Sequence, residues 1–177
     1  MTSVPPALRI ALIGARGSGK STVGRALSAL LGLAFVDLDG ETSPAEPAGS
    51  LLARVGLEEF RARELAALRR VLARAGSFVL ATGGGVLETE EARALLAAGA
   101  RCVWLDAPAA VLRARLAADP APRPPLQGQD ALEEIEAVLA RRAGLYAGLA
   151  SATVDATGPP ERVARDAAGA LGVLQDF

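Results

Sequence analysis

The stretch Gly14-Ala15-Arg16-Gly17-Ser18-Gly19-Lys20-Ser21-Thr22 carries residues whose types and spacing serve one kind of chemistry. It fits G-x-x-x-x-G-K-[ST], a loop that cradles phosphate groups. Gly17 and Gly19 let main-chain N–H groups approach phosphate oxygens with no Cβ in the way. Lys20 has the reach to meet the β- and γ-phosphates, the Ser21 hydroxyl suits Mg²⁺, and Ser18 and Thr22 complete the cradle. Leu8–Ile13, just before, is an apolar run of strand length. Val23, Ala26, Leu27, Leu30 and Leu31, just after, share one face of a helix. Such a helix points its positive end at the same anion. Strand, glycine loop and helix together predict binding of a nucleoside triphosphate.

Other chemically capable residues stand at the ends of further predicted strands. Asp37 and Asp39 are two apart at the end of the strand Ala34–Leu38, so they point to the same side. One suits a water-mediated hold on Mg²⁺ and the other a substrate hydroxyl, although a turn or helix cap would use the same residues. Gly83-Gly84-Gly85 follows the strand Ser77–Ala81 and frees main-chain N–H groups for close approach, beyond what a simple turn needs. Arg61 stands beside the apolar stripe of a long helix. Arg142 lies three after Leu139 and four before Tyr146, on the inward stripe of another. A guanidinium on such a face needs an anion, either a ligand or a structural carboxylate. Arg123 sits in a proline-rich loop, placed to swing over a phosphate or to remain solvated.

The elements that must position these residues alternate strand and helix, the mark of a parallel α/β sheet. A helix over about 20–31 stops near Gly32; Thr42–Gly49 reads as loop by composition. Leu57 to Leu72 is amphipathic and Gly76 closes that unit. A helix from near Thr89 to Gly99 precedes a strand Cys102–Leu105, and Pro108 opens the next helix. Asp119–Gly128 is too rich in proline for helix or central strand. A helix through Leu132–Leu149, a short strand at Thr153-Val154 and a helix over about 160–171 finish the chain. Ligands of open parallel sheets bind beyond the carboxyl ends of strands, where the phosphate loop, the aspartates and the glycine triplet all fall.

Composition narrows the classes. A chain of 177 residues suits one domain spanning 1–177. The hydrophobic share is 51%, yet no apolar run reaches the roughly 18 residues of a membrane span. Met1–Pro6 lacks a basic segment, so no signal peptide is expected. A net charge of -1 argues against a nucleic-acid surface. The single cysteine, Cys102, excludes an internal disulfide and a cysteine-based zinc cluster, and its strand context predicts core packing. With no histidine, proton transfer falls to carboxylates, lysine or water. The expectation is a cytoplasmic, monomeric enzyme acting on a small molecule, with neither nucleic acid nor membrane as partner.

Taken together, these residues resemble shikimate kinase, a small P-loop kinase. The resemblance runs through Gly17–Thr22, Phe35-Val36-Asp37-Leu38-Asp39, Gly56 with Glu59-Phe60-Arg61, Glu64, Thr82-Gly83-Gly84-Gly85-Val86, Arg123-Pro124, and Arg142 with Leu145-Tyr146. It implies a P-loop NTPase fold of the nucleoside-monophosphate-kinase type: three α/β/α layers with a five-stranded parallel sheet in the order 2-3-1-4-5. It also implies transfer of the γ-phosphate of ATP, with Mg²⁺, to the 3-hydroxyl of shikimate. By that likeness Lys20, Asp39 and Arg123 are catalytic, with Asp39 on the acceptor hydroxyls. Ser21 and Asp37 serve the metal, Gly17 through Thr22 and Arg123 the nucleotide, and Pro160 the adenine beside Arg113 or Arg115. Arg61 and Arg142 clamp the acceptor's carboxylate, with Gly83, Gly84 and Gly85 adding main-chain contacts. The acceptor region is about residues 39–64 and the lid about 119–129. The chain departs from the family after Asp39, where Gly40–Gly49 is shorter and richer in Pro and Ala, and in the lid, which reads Arg-Pro-Pro-Leu. The departures leave two other readings: a kinase of a different hydroxy acid, or an inactive nucleotide-binding regulatory module.

Overall fold

The computed structural model describes residues 7–119 and 134–174. Strand β1 (Arg9–Ile13) leads through the phosphate loop into α1 (Lys20–Leu31), and β2 (Ala34–Asp37) into α2 (Leu38–Thr42). Helices α3 (Ala48–Val55) and α4 (Leu57–Leu72) precede β3 (Phe78–Ala81). A 3₁₀ turn (Val86–Glu88), α5 (Glu90–Gly99), β4 (Arg101–Asp106) and α6 (Ala109–Ala118) follow. Helix α7 (Glu134–Leu149), β5 (Ala152–Asp155) and α8 (Pro160–Ala170) complete the described chain.

The five strands pair in the order β2-β3-β1-β4-β5, all parallel, as the resemblance implied. Their alternating side chains divide the core in two. Ile10 and Leu12 face one layer with Val23 and Leu27 of α1, Leu112 of α6 and Val163 and Ala167 of α8. Ala11 and Ile13 face the other with Leu68 and Val71 of α4, Leu96 of α5 and Tyr146 of α7. Each fully buried Leu or Ile contributes about 1.5–3 kcal/mol, so both faces of β1 are strongly committed. Cys102 is buried in the second layer, where burial pushes its thiol up to about 11; it packs rather than reacts.

One expectation is narrowed. The loop expected over Thr42–Gly49 spans Ser43–Pro47: Thr42 ends α2, and Ala48 and Gly49 begin α3. Asp37 caps α2, its carboxylate accepting from the Asp39 amide at 3.1 Å. Pro47 precedes the first turn of α3, where the missing N–H of a proline costs nothing. Helices this short carry too little periodicity to outweigh their composition. The segment is held down by exposed pairs: Glu46 with Arg54, and Glu41 with Arg74 at 2.7 Å.

Candidate active site

The carboxyl ends of β1, β2 and β3 lie at one sheet edge, since Leu12 and Asp37 both register with Ala81. Thr82 extends that edge, donating both its amide (3.2 Å) and its hydroxyl (2.9 Å) to the Leu12 carbonyl. Gly17 and Gly19 take φ of 80° and 91°, left-handed values that an L side chain resists. Gly19 is also the N-cap of α1 and brings no side chain to the first-turn amides, and that turn holds no acidic residue. The amides are thus left for an external anion. Ser18 is buried and its hydroxyl has no hydrogen-bond partner. Lys20 lies along the same loop, donating to the Gly14 and Ala15 carbonyls at 2.9 Å each. These features fit a triphosphate.

Ser21 Oγ donates to Asp37 Oδ2 at 2.8 Å, which places a hydroxyl and a carboxylate oxygen together beside the loop. That donor pair fits Mg²⁺, which usually takes one or two protein oxygens and completes its shell with phosphate and water. No cluster of three or more acidic, cysteine or histidine ligands occurs among the described residues.

A cleft of about 1120 Å³ runs from Lys20, Ser21 and Thr22 past Asp37 to Asp39 and Gly84. A recess of about 80 Å³ adjoins it, lined by Phe60, Arg61, Glu64 and Gly85. Arg16, Asp39 and Gly84 line both. The glycine triplet is needed here for close approach, not for unusual dihedrals, since none of the three has positive φ. A Cβ on Gly85 would stand 2.7 Å from Arg61 Cζ, and one on Gly84 2.8 Å from Arg16 Cγ. A Cβ on Gly83 would strike Glu64 Oε1.

Two arginines approach this region from the inward helix faces on which their spacing places them. Arg61 Nη1 donates to Glu64 Oε2 at 2.7 Å. Glu64 is 2% exposed; burial pushes its carboxyl above the ordinary glutamate value against the opposing pull of Arg61, with Asp39 reinforcing the rise. Arg142 is 1% exposed and is anchored by a carboxylate that spacing does not reveal. Its Nε and Nη2 donate to Glu88 Oε1 at 3.0 and 2.7 Å, and its Nη1 donates to the Gly84 carbonyl. Glu88 also accepts from Arg141 at 2.8 Å and lies 3.6 Å from Arg61 Nη2. Burial alone would raise the Glu88 carboxyl, but the hydrogen bonds and positive charge of the arginines outweigh it and hold the group below the ordinary value. Glu88 ends a short turn with no periodic pattern, so only the folded chain exposes its role.

The other expected residues separate clearly. Arg115 joins the phosphate loop to the segment before Pro160, donating to Ala156 O at 2.7 Å and Gly17 O at 3.3 Å. Arg113 turns instead to Glu136 at 2.8 Å. Pro160 is the first residue of α8. Arg123 and the lid beyond Asp119 lie outside the described residues.

A parallel sheet with a phosphate loop after β1 and a carboxylate at the end of β2 defines the P-loop nucleotide-binding class. The shikimate kinase family model matches residues 16–171. A "Shikimate kinase 2" of Yersinia enterocolitica is 41% identical over 158 residues, covering 87% of this chain and 90% of that protein. Two solved structures superpose well. The shikimate kinase of Acinetobacter baumannii in complex with shikimate gives a TM-score of 0.85 at 30% identity, covering 94% of this chain and 93% of that one. The Aquifex aeolicus shikimate kinase gives 0.79 at 30% identity, covering 93% and 96%. The chain belongs to the shikimate kinase family. It is accordingly a kinase acting on an alcohol group.

Proposed function

We propose that this chain transfers the γ-phosphate of ATP to the 3-hydroxyl of shikimate, giving shikimate 3-phosphate and ADP. The observation that carries this reading is the placement of Asp39 where the phosphate-loop cleft meets a recess lined by Arg61. A hydroxyl held by Asp39 faces the γ-phosphate, and a carboxylate on the same small molecule meets the arginines. Ser21 and Asp37 would hold Mg²⁺, which would supply charge neutralisation at the phosphates. Lys20 leaves its loop carbonyls for the β- and γ-phosphates, and the loop amides hold the chain of phosphates in line. Phosphoryl transfer needs this positioning and charge compensation more than covalent help. Asp39 orients the acceptor hydroxyl and takes up its proton.

Gly84 and Gly85 line the recess, the Gly83, Gly84 and Gly85 backbone offers the acceptor main-chain contacts, and Arg61 and Arg142 supply cationic groups for the acid. Gly17 through Thr22 hold the nucleotide, and Arg115 with Pro160 borders its base. Residues 39–64 form the acceptor region of a single kinase domain, and Arg123, outside the described residues, is assigned to the phosphates by the resemblance alone. The protein works as a cytoplasmic monomer on a small molecule, without nucleic acid or membrane. The test is ADP release from Mg·ATP with and without shikimate. Strong stimulation by shikimate is expected. Stimulation only by another hydroxy acid, or ATP binding with no stimulation, would replace this reading with one of its two alternatives.

A further inference from the structure

We propose that Glu88 is an internal carboxylate seated between Arg61 and Arg142, and that an acidic acceptor binds by taking its place there. The inference rests on the acceptor reading above and adds the residue that contests it. Arg142 is 1% exposed, and three of its donors are engaged by Glu88 and the Gly84 carbonyl. A ligand carboxylate that needs Arg142 must therefore compete with Glu88. The same Glu88 carboxylate reaches toward Arg61, with Oε2 3.6 Å from Nη2, so it spans the two guanidiniums assigned to the acid.

Glu88 also has somewhere to go. Its side chain is 30% exposed, whereas that of Arg142 is buried. Arg141, 51% exposed, binds the same oxygen at 2.8 Å and can keep Glu88 as it moves outward. Charge favours the exchange. Arg61, Arg141 and Arg142 bring three positive groups, while Glu64 and Glu88 supply two carboxylates. One further carboxylate balances the cluster without driving Glu88 from every cation. A positive site that already holds its own carboxylate admits only a ligand able to match it, which sharpens selection for acids at some loss of affinity.

The experiment measures initial rates of the full chain with saturating Mg·ATP and varied shikimate. Glu88→Gln is expected to lower KM for shikimate about fivefold, the scale of one partly exposed ion pair, with kcat changed less than about twofold. An analogue whose carboxylate is reduced to a primary alcohol should show no such gain, which separates exchange from a general structural effect. Glu88→Asp, which keeps the charge but withdraws it by one methylene, should also lower KM and serves where the amide variant folds poorly. A rise in KM would show that Glu88 aligns the arginines, and an unchanged KM that it does not contest the acid; either overturns the proposal. Arg61→Ala in parallel identifies what has failed. If it raises KM while Glu88→Gln does nothing, only the exchange falls; if it also does nothing, the acceptor site falls with it.

Discussion

Lys20 lines the phosphate-loop cleft and Arg61 the recess that adjoins it, and each has a distinct kinetic signature. Lys20 can leave the Gly14 and Ala15 carbonyls for developing phosphate charge. Lys20→Ala should lower kcat by at least ~10²-fold, the scale of one preorganised electrostatic group; steady-state turnover checks it, and near-normal kcat would remove its role. Arg61 lines the recess, steadied by Glu64 at 2.7 Å. Arg61→Ala should lower kcat/KM for the acid acceptor about 10-fold or more, since it strips a charged hydrogen bond and leaves buried Glu64 without its partner. The KM for ATP should stay close to its original value. An unchanged acceptor kcat/KM would make Arg61 purely structural.

At the scale of elements, α4 is the rod that sets the acceptor side. Its inner face packs Ala67, Leu68, Val71 and Leu72 into the core, while its first turns present Arg61 and Glu64 to the recess. Leu68 is fully buried, so Leu68→Ala should destabilise the fold by about 2–5 kcal/mol through lost transfer energy and a residual cavity. Urea denaturation measures this directly. Because α4 carries Arg61 but not the phosphate loop, the acceptor KM should rise more than the ATP KM. Helix α7 positions the second arginine in the same way. Its Tyr146 stacks on Trp104 of β4 with ring centroids 5.5 Å apart, fixing the face that points Arg142 inward. The glycine triplet between these helices works by having no side chains, so Arg16, Arg61 and Glu64 can close against its backbone.

At the scale of the whole molecule, one parallel sheet delivers the phosphate loop, Asp37, Asp39 and the triplet to a single edge. The arginine–glutamate cluster ties α4 and α7 across that edge and makes stability depend on pH. The lowered Glu88 carboxyl contributes stability that is present above the ordinary glutamate pKa and lost as pH falls through its folded value. Glu64 has the opposite sign: its raised carboxyl contributes stability that is present below the ordinary value and lost as pH rises through the folded one. The two oppose each other, so removing Glu88 should expose the difference. As pH falls from neutral past the ordinary glutamate pKa and through the lower folded value of Glu88, the Tm of Glu88→Gln should fall less than that of the unsubstituted chain. Equal Tm losses would show that Glu88 does not contribute to the acid limb.

The sequence by itself determined what is local or periodic. The spacing of Gly14 to Thr22 specified a phosphate cradle, and the apolar rhythms of α1 and α4 located those helices to within a residue or so. The inward stripe of α7 placed Arg142 in the interior. It did not reveal α2 and α3, whose five and eight residues carry too few turns to outweigh Pro44 and Pro47. Tertiary structure alone decided the partners. Arg142 and Glu88 are 54 residues apart, and nothing in the turn around Glu88 marks it for a guanidinium. It likewise decided why three glycines are needed: the side chains they make room for come from the phosphate loop and α4. Periodicity records which face a residue buries. Which charge meets it there depends on how separate elements converge, and here that convergence seats a glutamate between the two arginines assigned to the acid.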